Sequence, residues 1–403
     1  MYATYRGGAA ASAAPIVDRE TIKTCPRGTT ARLAAYLDGR AFEQPTLVMD
    51  LERVAEQHRA LASGLGDAHI HYAVKANPHP EIIALLHRQG AKFDAASRGE
   101  IELCLAAGAR PADISFGNTV KRARDIAWAH RAGVDLFAAD AEEEIAKIAT
   151  HAPGARVFIR LLVEQTEADW PLSRKFGATP GNALRLMGLA RGLGLRPVGI
   201  SFHIGSQTRQ ARMWTPVLDE TARVWRAALS AGFEMEVLNI GGGFPAFYGE
   251  PIETPEGYAR EVMALVHARF GKPAYVMAEP GRGLVADAGV IAAEVLLVSR
   301  KRPSDAARWV YLDIGKFSGL AETIDEAIRY QIETAADGGE TGPCILAGPS
   351  CDSADVLYET TPMRLPLGLA AGDPVWILAA GAYTGSYASV GFNGFPPLDT
   401  VCI

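Results

Sequence analysis

The sequence predicts an α/β protein: a closed parallel (β/α)8 barrel with a second, mostly β unit. Three observations predict it. Eight short β-rich runs alternate with helical patterns between residues 69 and 281. After about residue 288 the alternation gives way to strand-like runs separated by turns. The chemically distinctive residues fall at the ends of the eight runs, where parallel barrels carry their sites. An open doubly wound sheet would show the same alternation, and the count of eight favours closure.

In chain order, residues 1–14 are rich in Ala, Gly and Ser and read as a disordered arm. Residues 15–50 end in the strand-like Thr46–Asp50, which is placed with the later β unit and makes that unit discontinuous. The barrel is assigned to residues 51–288. Its runs are His69–Asn77, Phe93–Ser97, Ile114–Gly117, Leu136–Asp140, Val157–Leu162, Val198–Gly205, Val237–Gly243 and Tyr275–Gly281. Helical periodicity fills the gaps, as in Glu81–Gln89, Glu100–Ala107, Lys121–Arg131 and Glu142–Thr150. The C-terminal β unit, 289–403, contains Gly289–Ser299, Trp309–Asp313, Cys344–Ala347 and Val375–Ala379.

Composition narrows the function. With 403 residues, 48% hydrophobic and 21% charged, the chain has the profile of a soluble globular protein of roughly two domains. A net charge of −6, with Arg122, Arg124 and Arg131 scattered among acids on what reads as a solvated helix face, argues against a nucleic-acid partner. No apolar run approaches the ~18 residues a membrane span needs. Five cysteines without paired spacing point to a reducing cytoplasm and to neither a disulfide framework nor a metal site.

Lys75 ends the first run, and a lysine at the mouth of an apolar site is expected to fall in pKa and serve as an amine nucleophile. A snorkelling strand-end lysine is the plain alternative. Asp94 lies in the second run, Arg160 in the fifth and His203 in the sixth; Gly241-Gly242-Gly243 ends the seventh, and Glu279-Pro280-Gly281-Arg282 the eighth. Bare glycine amides at the last strand ends suit a phosphate, with Arg282 adding a charge-assisted bond and Ser206 a hydroxyl. A lysine, a phosphate site and a carboxylate together suggest pyridoxal 5′-phosphate, with Glu279 at the pyridine nitrogen and His203 stacked on the ring. Taken singly, the triplet reads as a flexible turn, Glu279 as a surface acid and His203 as a core histidine.

These motifs resemble the barrel-type (fold-type III) pyridoxal-phosphate decarboxylases, which include ornithine, lysine and diaminopimelate decarboxylases and share a barrel with alanine racemase. The resemblance runs from about residue 45 to residue 396 and adds Cys351-Asp352-Ser353-Ala354-Asp355 and Gly381-Ala382-Tyr383-Thr384 to the motifs above. It implies that Lys75 holds the cofactor as a Schiff base, that Ser206, Gly243, Gly281, Arg282 and Tyr383 surround the phosphate, and that Cys351 donates a proton. It implies a homodimer in which Cys351 and Asp352 reach the partner's site. Gly348-Pro349-Ser350-Cys351-Asp352 and Phe392-Asn393-Gly394-Phe395 look most like ornithine decarboxylases, which places Phe392 with the substrate residues.

The resemblance thus implies a decarboxylase turning L-ornithine into putrescine, with L-lysine to cadaverine as a second activity. Asp352 fits a distal ammonium, and Asp325 or Glu326 supplies a second acid. One methylene of chain length is worth only ~1–3 kcal/mol, so dual use is expected. Diaminopimelate decarboxylases carry an Arg-Pro pair that is absent between Asp313 and Tyr330, although Arg329 is a stand-in. Glu164–Arg174 looks like the mobile loop that covers the site in relatives. Diaminopimelate decarboxylase, amino-acid racemase and inactive regulatory homologue are the competing readings.

Overall fold

The computed structural model describes residues 25–163 and 175–403, so the disordered arm and the covering loop expected from the sequence lie outside the described residues. Among the described residues seventeen strands follow in chain order. Eight of them close a parallel barrel: β2 (His69–Ala73), β3 (Lys92–Ala95), β4 (Ile114–Phe116), β5 (Leu136–Ala139), β6 (Arg156–Arg160), β7 (Arg196–Ser201), β8 (Val237–Asn239) and β9 (Tyr275–Ala278). All eight runs expected from the sequence are barrel strands, and β2 pairs with β9 to close the ring.

Strand parity decides what faces the barrel axis. Leu136, Ala138, Phe158, Val198, Val237 and Met277 form one buried cluster, whereas Phe137, Ile159 and Val276 pack into the larger core shared with the outer helices. Continuing the inward parity toward the C-terminal ends brings Asp94 on β3, Arg160 on β6, Asn239 on β8 and Glu279 just past β9 to the same mouth. The helices start where local chemistry caps them. Asp50 accepts from the Glu52 and Arg53 amides at the head of Leu51–Leu65, and Ser97 accepts from Glu100 at the head of Arg98–Ala106.

One boundary differs from expectation for an electrostatic reason. Lys121 is not helical; the helix runs Ala123–Arg131, and the Lys121 ammonium is buried. It meets Glu144 at 2.9 Å and donates to the Ala138 carbonyl at 2.6 Å, so its charge is compensated and it ties the β4 loop to β5.

The remaining strands form a nine-stranded sheet: β1 (Thr46–Met49), β10 (Gly289–Ser299), β11 (Arg308–Leu312), β12 (Ile332–Thr334), β13 (Thr341–Ala347), β14 (Val356–Leu357), β15 (Met363–Pro366), β16 (Pro374–Ile377) and β17 (Asp399–Cys402). The strand Thr46–Asp50 read from sequence does join this sheet, with β1 antiparallel to β10 and parallel to β17. Sequence periodicity missed β12, β14, β15 and β17, which are two to four residues long and leave too little pattern to read. No helix among the described residues is long and apolar enough to cross a membrane.

The sheet meets the barrel through bare backbone. A Cβ at Gly381 would stand 1.9 Å from the Val285 carbonyl oxygen, and one at Gly289 would stand 2.4 Å from the Gly381 Cα. Gly381→Ala therefore has to push the two units apart. It is expected to cost ~1–3 kcal/mol or more in chemical denaturation, and an unchanged midpoint would show that this contact yields freely.

Candidate active site

Eight of the sequence-predicted residues line one cavity of about 240 Å³ at the C-terminal mouth: Lys75, His203, Ser206, Gly243, Glu279, Gly281, Arg282 and Tyr383. Lys75 leaves β2 in a tight Val74–Ala76 turn. That turn is held from the sheet unit, since Tyr383 N donates to the Ala76 carbonyl at 2.8 Å, Ser386 Oγ to the Lys75 carbonyl at 2.9 Å and Asn77 Nδ2 to the Gly381 carbonyl at 3.0 Å. Tyr383 adopts φ +56°, a left-handed conformation costly for a tyrosine, and the contacts on either side of it hold it there.

The Lys75 amine corrects the expectation of a depressed pKa. Burial does push the ammonium down, but the charges of Asp94, Tyr383 and Glu279 outweigh it, and the net shift is upward. Its side chain is 43% exposed into the open mouth, with Asp94 Oδ2 3.9 Å away. The lysine is thus a charged, paired group, and becomes a nucleophile only when its proton is taken. Asp94 and Arg160 do not line the cavity; they stand behind it as charge partners. Ser115 Oγ donates to Asp94 at 3.4 Å, and Gly117 has to be glycine because a Cβ would stand 1.8 Å from the same oxygen.

Glu279 is pushed up to about 7 by burial and then by Asp94. Asn239, which the sequence reading missed, organises this acid: its Nδ2 donates to Glu279 Oε1 at 2.5 Å, while its Oδ1 accepts from Gly241 N at 2.8 Å. One amide thereby fixes both the carboxylate and the glycine turn. His203 is pushed well down by burial, Arg160 and Lys75, so its ring is neutral. Its Nδ1 accepts from Gly205 N at 3.0 Å, which leaves the ring proton on Nε2.

Arg282 is 2% exposed and held on three sides. Nε donates to Ser206 Oγ at 3.1 Å, Nη1 to Tyr248 Oη at 2.9 Å and Nη2 to Glu322 Oε1 at 2.7 Å. Glu322 was not singled out in the sequence, yet it lines the cavity, and its Oε2 is a buried acceptor without a hydrogen-bond partner. Its signal was weak because Asp325 and Glu326 sit in the same acidic stretch.

Those two acids, and the other expected substrate residues, are not at this cavity. Glu326 is engaged locally: its carboxylate accepts from the Thr360 and Thr361 amides at 2.7 and 3.1 Å and pairs with Arg329 at 3.0 Å, so it holds a turn together. Asp325 is exposed at φ +53°. Cys351 and Asp352 are exposed on a loop shaped by Asp355, which accepts from Lys316 N at 2.7 Å and Ser350 Oγ at 2.7 Å. Cys351 N donates to Asn393 Oδ1 at 3.1 Å, and the neighbouring Phe392 packs on Phe317 at 4.9 Å between ring centroids.

Residues 51–286 match the family model of the pyridoxal-dependent decarboxylases, pyridoxal binding domain. The chain belongs to this decarboxylase family. It is 32% identical over 357 residues to the lysine/ornithine decarboxylase of Selenomonas ruminantium, covering 89% of each chain. The solved structure of SrLDC with PLP and cadaverine is 30% identical, with a TM-score of 0.82 and coverage of 93% of this chain and 94% of that one. The arginine decarboxylase of Paramecium bursaria Chlorella virus is 26% identical, with a TM-score of 0.81, over 92% of this chain and 98% of that one.

The cofactor of this decarboxylase is pyridoxal 5′-phosphate, and the cavity fits it. A Cβ at Gly281 would meet Ala76 at 2.9 Å and the Tyr383 hydroxyl at 3.1 Å, and one at Gly242 would meet the Glu279 carbonyl at 2.7 Å, so bare glycine is required where these segments close the cavity wall. An amine, a neutral imidazole, a buried acid and an arginine beside a glycine turn surround that space.

The Glu279 shift has a stability consequence. The folded protein keeps a proton that the unfolded chain has released, so this group's contribution is fully present below about pH 4.5 and is lost as pH rises through about 7. In cofactor-free protein, Glu279→Gln should flatten the fall in urea stability across that window. A slope equal to that of the parent would remove Glu279 as its cause.

Proposed function

We propose that this decarboxylase converts L-ornithine to putrescine and carbon dioxide, with L-lysine to cadaverine as a second activity, in a cytoplasmic homodimer whose sites are shared. The observation that carries the reading is Glu279, a buried acid held by Asn239 in the same cavity as Lys75 and His203. Pyridoxal phosphate, when bound, supplies an aldehyde that captures the substrate amine and a ring that accepts the electron pair left behind as the carboxylate departs.

The protein's own groups divide the rest of the work. Lys75 would hold the cofactor through its aldehyde, and Asp94 and Arg160 set the charge balance around its amine. Glu279 presents its carboxyl to the pyridine nitrogen, where a held proton strengthens the ring's pull on electrons. His203, neutral and lining the cavity, would pack against the ring. Ser206, Gly243, Gly281, Arg282 and Tyr383 take the phosphate. Cys351 of the partner subunit would deliver a proton to the carbon that lost its carboxylate, and Asp352 of the partner subunit would accept the distal ammonium.

The exposed Cys351 loop supports a shared site, because Asp355 and Asn393 brace a loop that lies outside its own chain's cavity. Against diaminopimelate, Arg329 is already committed: it pairs with Glu326, donates to the Thr361 carbonyl at 2.8 Å and lies 4.7 Å over the Tyr358 ring. No other arginine was a stand-in for the missing Arg-Pro pair.

Purified, cofactor-loaded protein offered L-ornithine, L-lysine, L-arginine and meso-diaminopimelate separately is expected to release carbon dioxide fastest from ornithine. Turnover led by arginine or diaminopimelate would keep the chemistry and overturn the substrate. Lys75→Ala should abolish turnover and the cofactor's long-wavelength absorbance. For the shared site, mixing inactive Lys75→Ala with inactive Cys351→Ala protein should restore about a quarter of the parent activity, as expected when random pairing makes half the dimers mixed and each mixed dimer keeps one intact site. No recovery from dimers shown to exchange subunits would place Cys351 in its own chain's site or outside catalysis.

A further inference from the structure

Just beyond the Lys75 turn lies a second group of ligating atoms that the reaction does not use. His79 caps the Pro80–Arg88 helix, and its Nδ1 stands 3.2 Å from the Sγ of Cys402 at the end of β17. Glu81, in the first turn of the same helix, completes the group: one donor atom from each residue lies within 4.8 Å of the others. His79 and Cys402 are half-buried and Glu81 is exposed, so the group opens to solvent.

We propose that His79, Glu81 and Cys402 form a zinc-class metal site that fastens β17 to the turn following Lys75. An imidazole nitrogen, a carboxylate oxygen and a thiolate form a borderline-soft donor set that suits zinc and disfavours magnesium or calcium. Tetrahedral zinc with ordinary bond lengths sets its sulfur and nitrogen ligands about 3.6 Å apart. The Cys402–His79 pair, at 3.2 Å, needs only a slight opening to admit the ion. Three protein ligands leave the fourth position to water.

The protons are already arranged for this exchange. Nδ1 of His79 also accepts the Glu81 amide hydrogen at 3.4 Å, so its lone pair points into the group and the ring proton sits on Nε2. Cys402 is then the donor in the sulfur–nitrogen contact. The thiol therefore keeps its proton in the metal-free protein. On binding, the S–H bond breaks, the sulfur–metal bond forms with the same electron pair, and the proton leaves to solvent. The ion also neutralises the carboxylate that had opposed the thiolate. The weak helix-cap bond at 3.4 Å is given up for the metal–nitrogen bond.

The sequence reading expected no metal because ligand spacing is its only guide, and 323 residues separate His79 from Cys402. The parallel pairing of β17 with β1 carries Cys402 alongside Met49, at the head of the barrel's first helix. That places the thiol beside the helix that follows Lys75.

The test is a titration of cofactor-loaded protein with cadmium, followed by the ultraviolet thiolate-to-metal band, with zinc as competitor. The native chain should saturate at one ion per chain, release one proton per ion and give the band up to zinc. Cys402→Ser should lose the band, and His79→Ala should weaken binding roughly tenfold or more. Glu81→Gln, on the exposed surface, gives a third variant whose folding is not at stake and should also bind more weakly. Zinc should raise the melting temperature of the native chain but not that of Cys402→Ser. An equal band in the native and Cys402→Ser proteins would assign the metal to another thiol such as the exposed Cys351, and no band at all would likewise overturn the site. Neither readout depends on which amino acid the enzyme decarboxylates.

Discussion

Burying ionisable groups at the mouth of a closed barrel is costly, and here they are buried in compensating sets. Lys75 and Arg160 face Asp94 and Glu279, and the net effect on each follows from what stands opposite. The lysine is held up by two carboxylates; Glu279 is pushed up because burial and a second carboxylate outweigh the cations. Arg282 repeats the pattern with Glu322 beside Ser206. The parity of the strands delivers these charges to one place, and their mutual compensation lets the barrel close around them.

The sheet unit is a working part of that mouth. The segment Gly381–Ser386 hydrogen-bonds the Lys75 turn from outside, and the same segment brings Tyr383 to the cavity in a strained backbone conformation. The bonds from Tyr383 N to the Ala76 carbonyl and from Ser386 Oγ to the Lys75 carbonyl hold that conformation in place. A barrel alone would hold neither the turn nor the tyrosine. The cluster of His79, Glu81 and Cys402 is a second tie between the same two units, on the far side of the same turn.

The residues divide by how far their partners lie in sequence. Lys75, Asp94, His203, Gly243 and Glu279 were legible because each ends or follows a run with clear β character, and strand ends are where a parallel barrel does chemistry. Asn239 was not, since an asparagine before a glycine turn has a local explanation that needs no partner; its role lies in Glu279, 40 residues on. Glu322 was hidden among neighbouring acids, and only its ion pair with Arg282 separates it from Glu326, which binds Thr360 and Thr361. Lys121 was assigned to a helix because its neighbours have helical periodicity, and a buried partner at Glu144 draws it out.

Alternation of short apolar runs with amphipathic segments by itself determined the eight strands and their order, because period-2 and period-3.6 patterns are local, while the motifs at the strand ends carried the resemblance to the family; closure into a barrel was decided by the pairing of β2 with β9. The pKa of Lys75, the partners of Glu279 and Arg282, the commitment of Glu326 and Arg329 to structure, and the meeting of His79 with Cys402 were decided only by tertiary structure. Charge compensation depends on distance in space, and the groups that set it come from strand ends and loops tens to hundreds of residues apart.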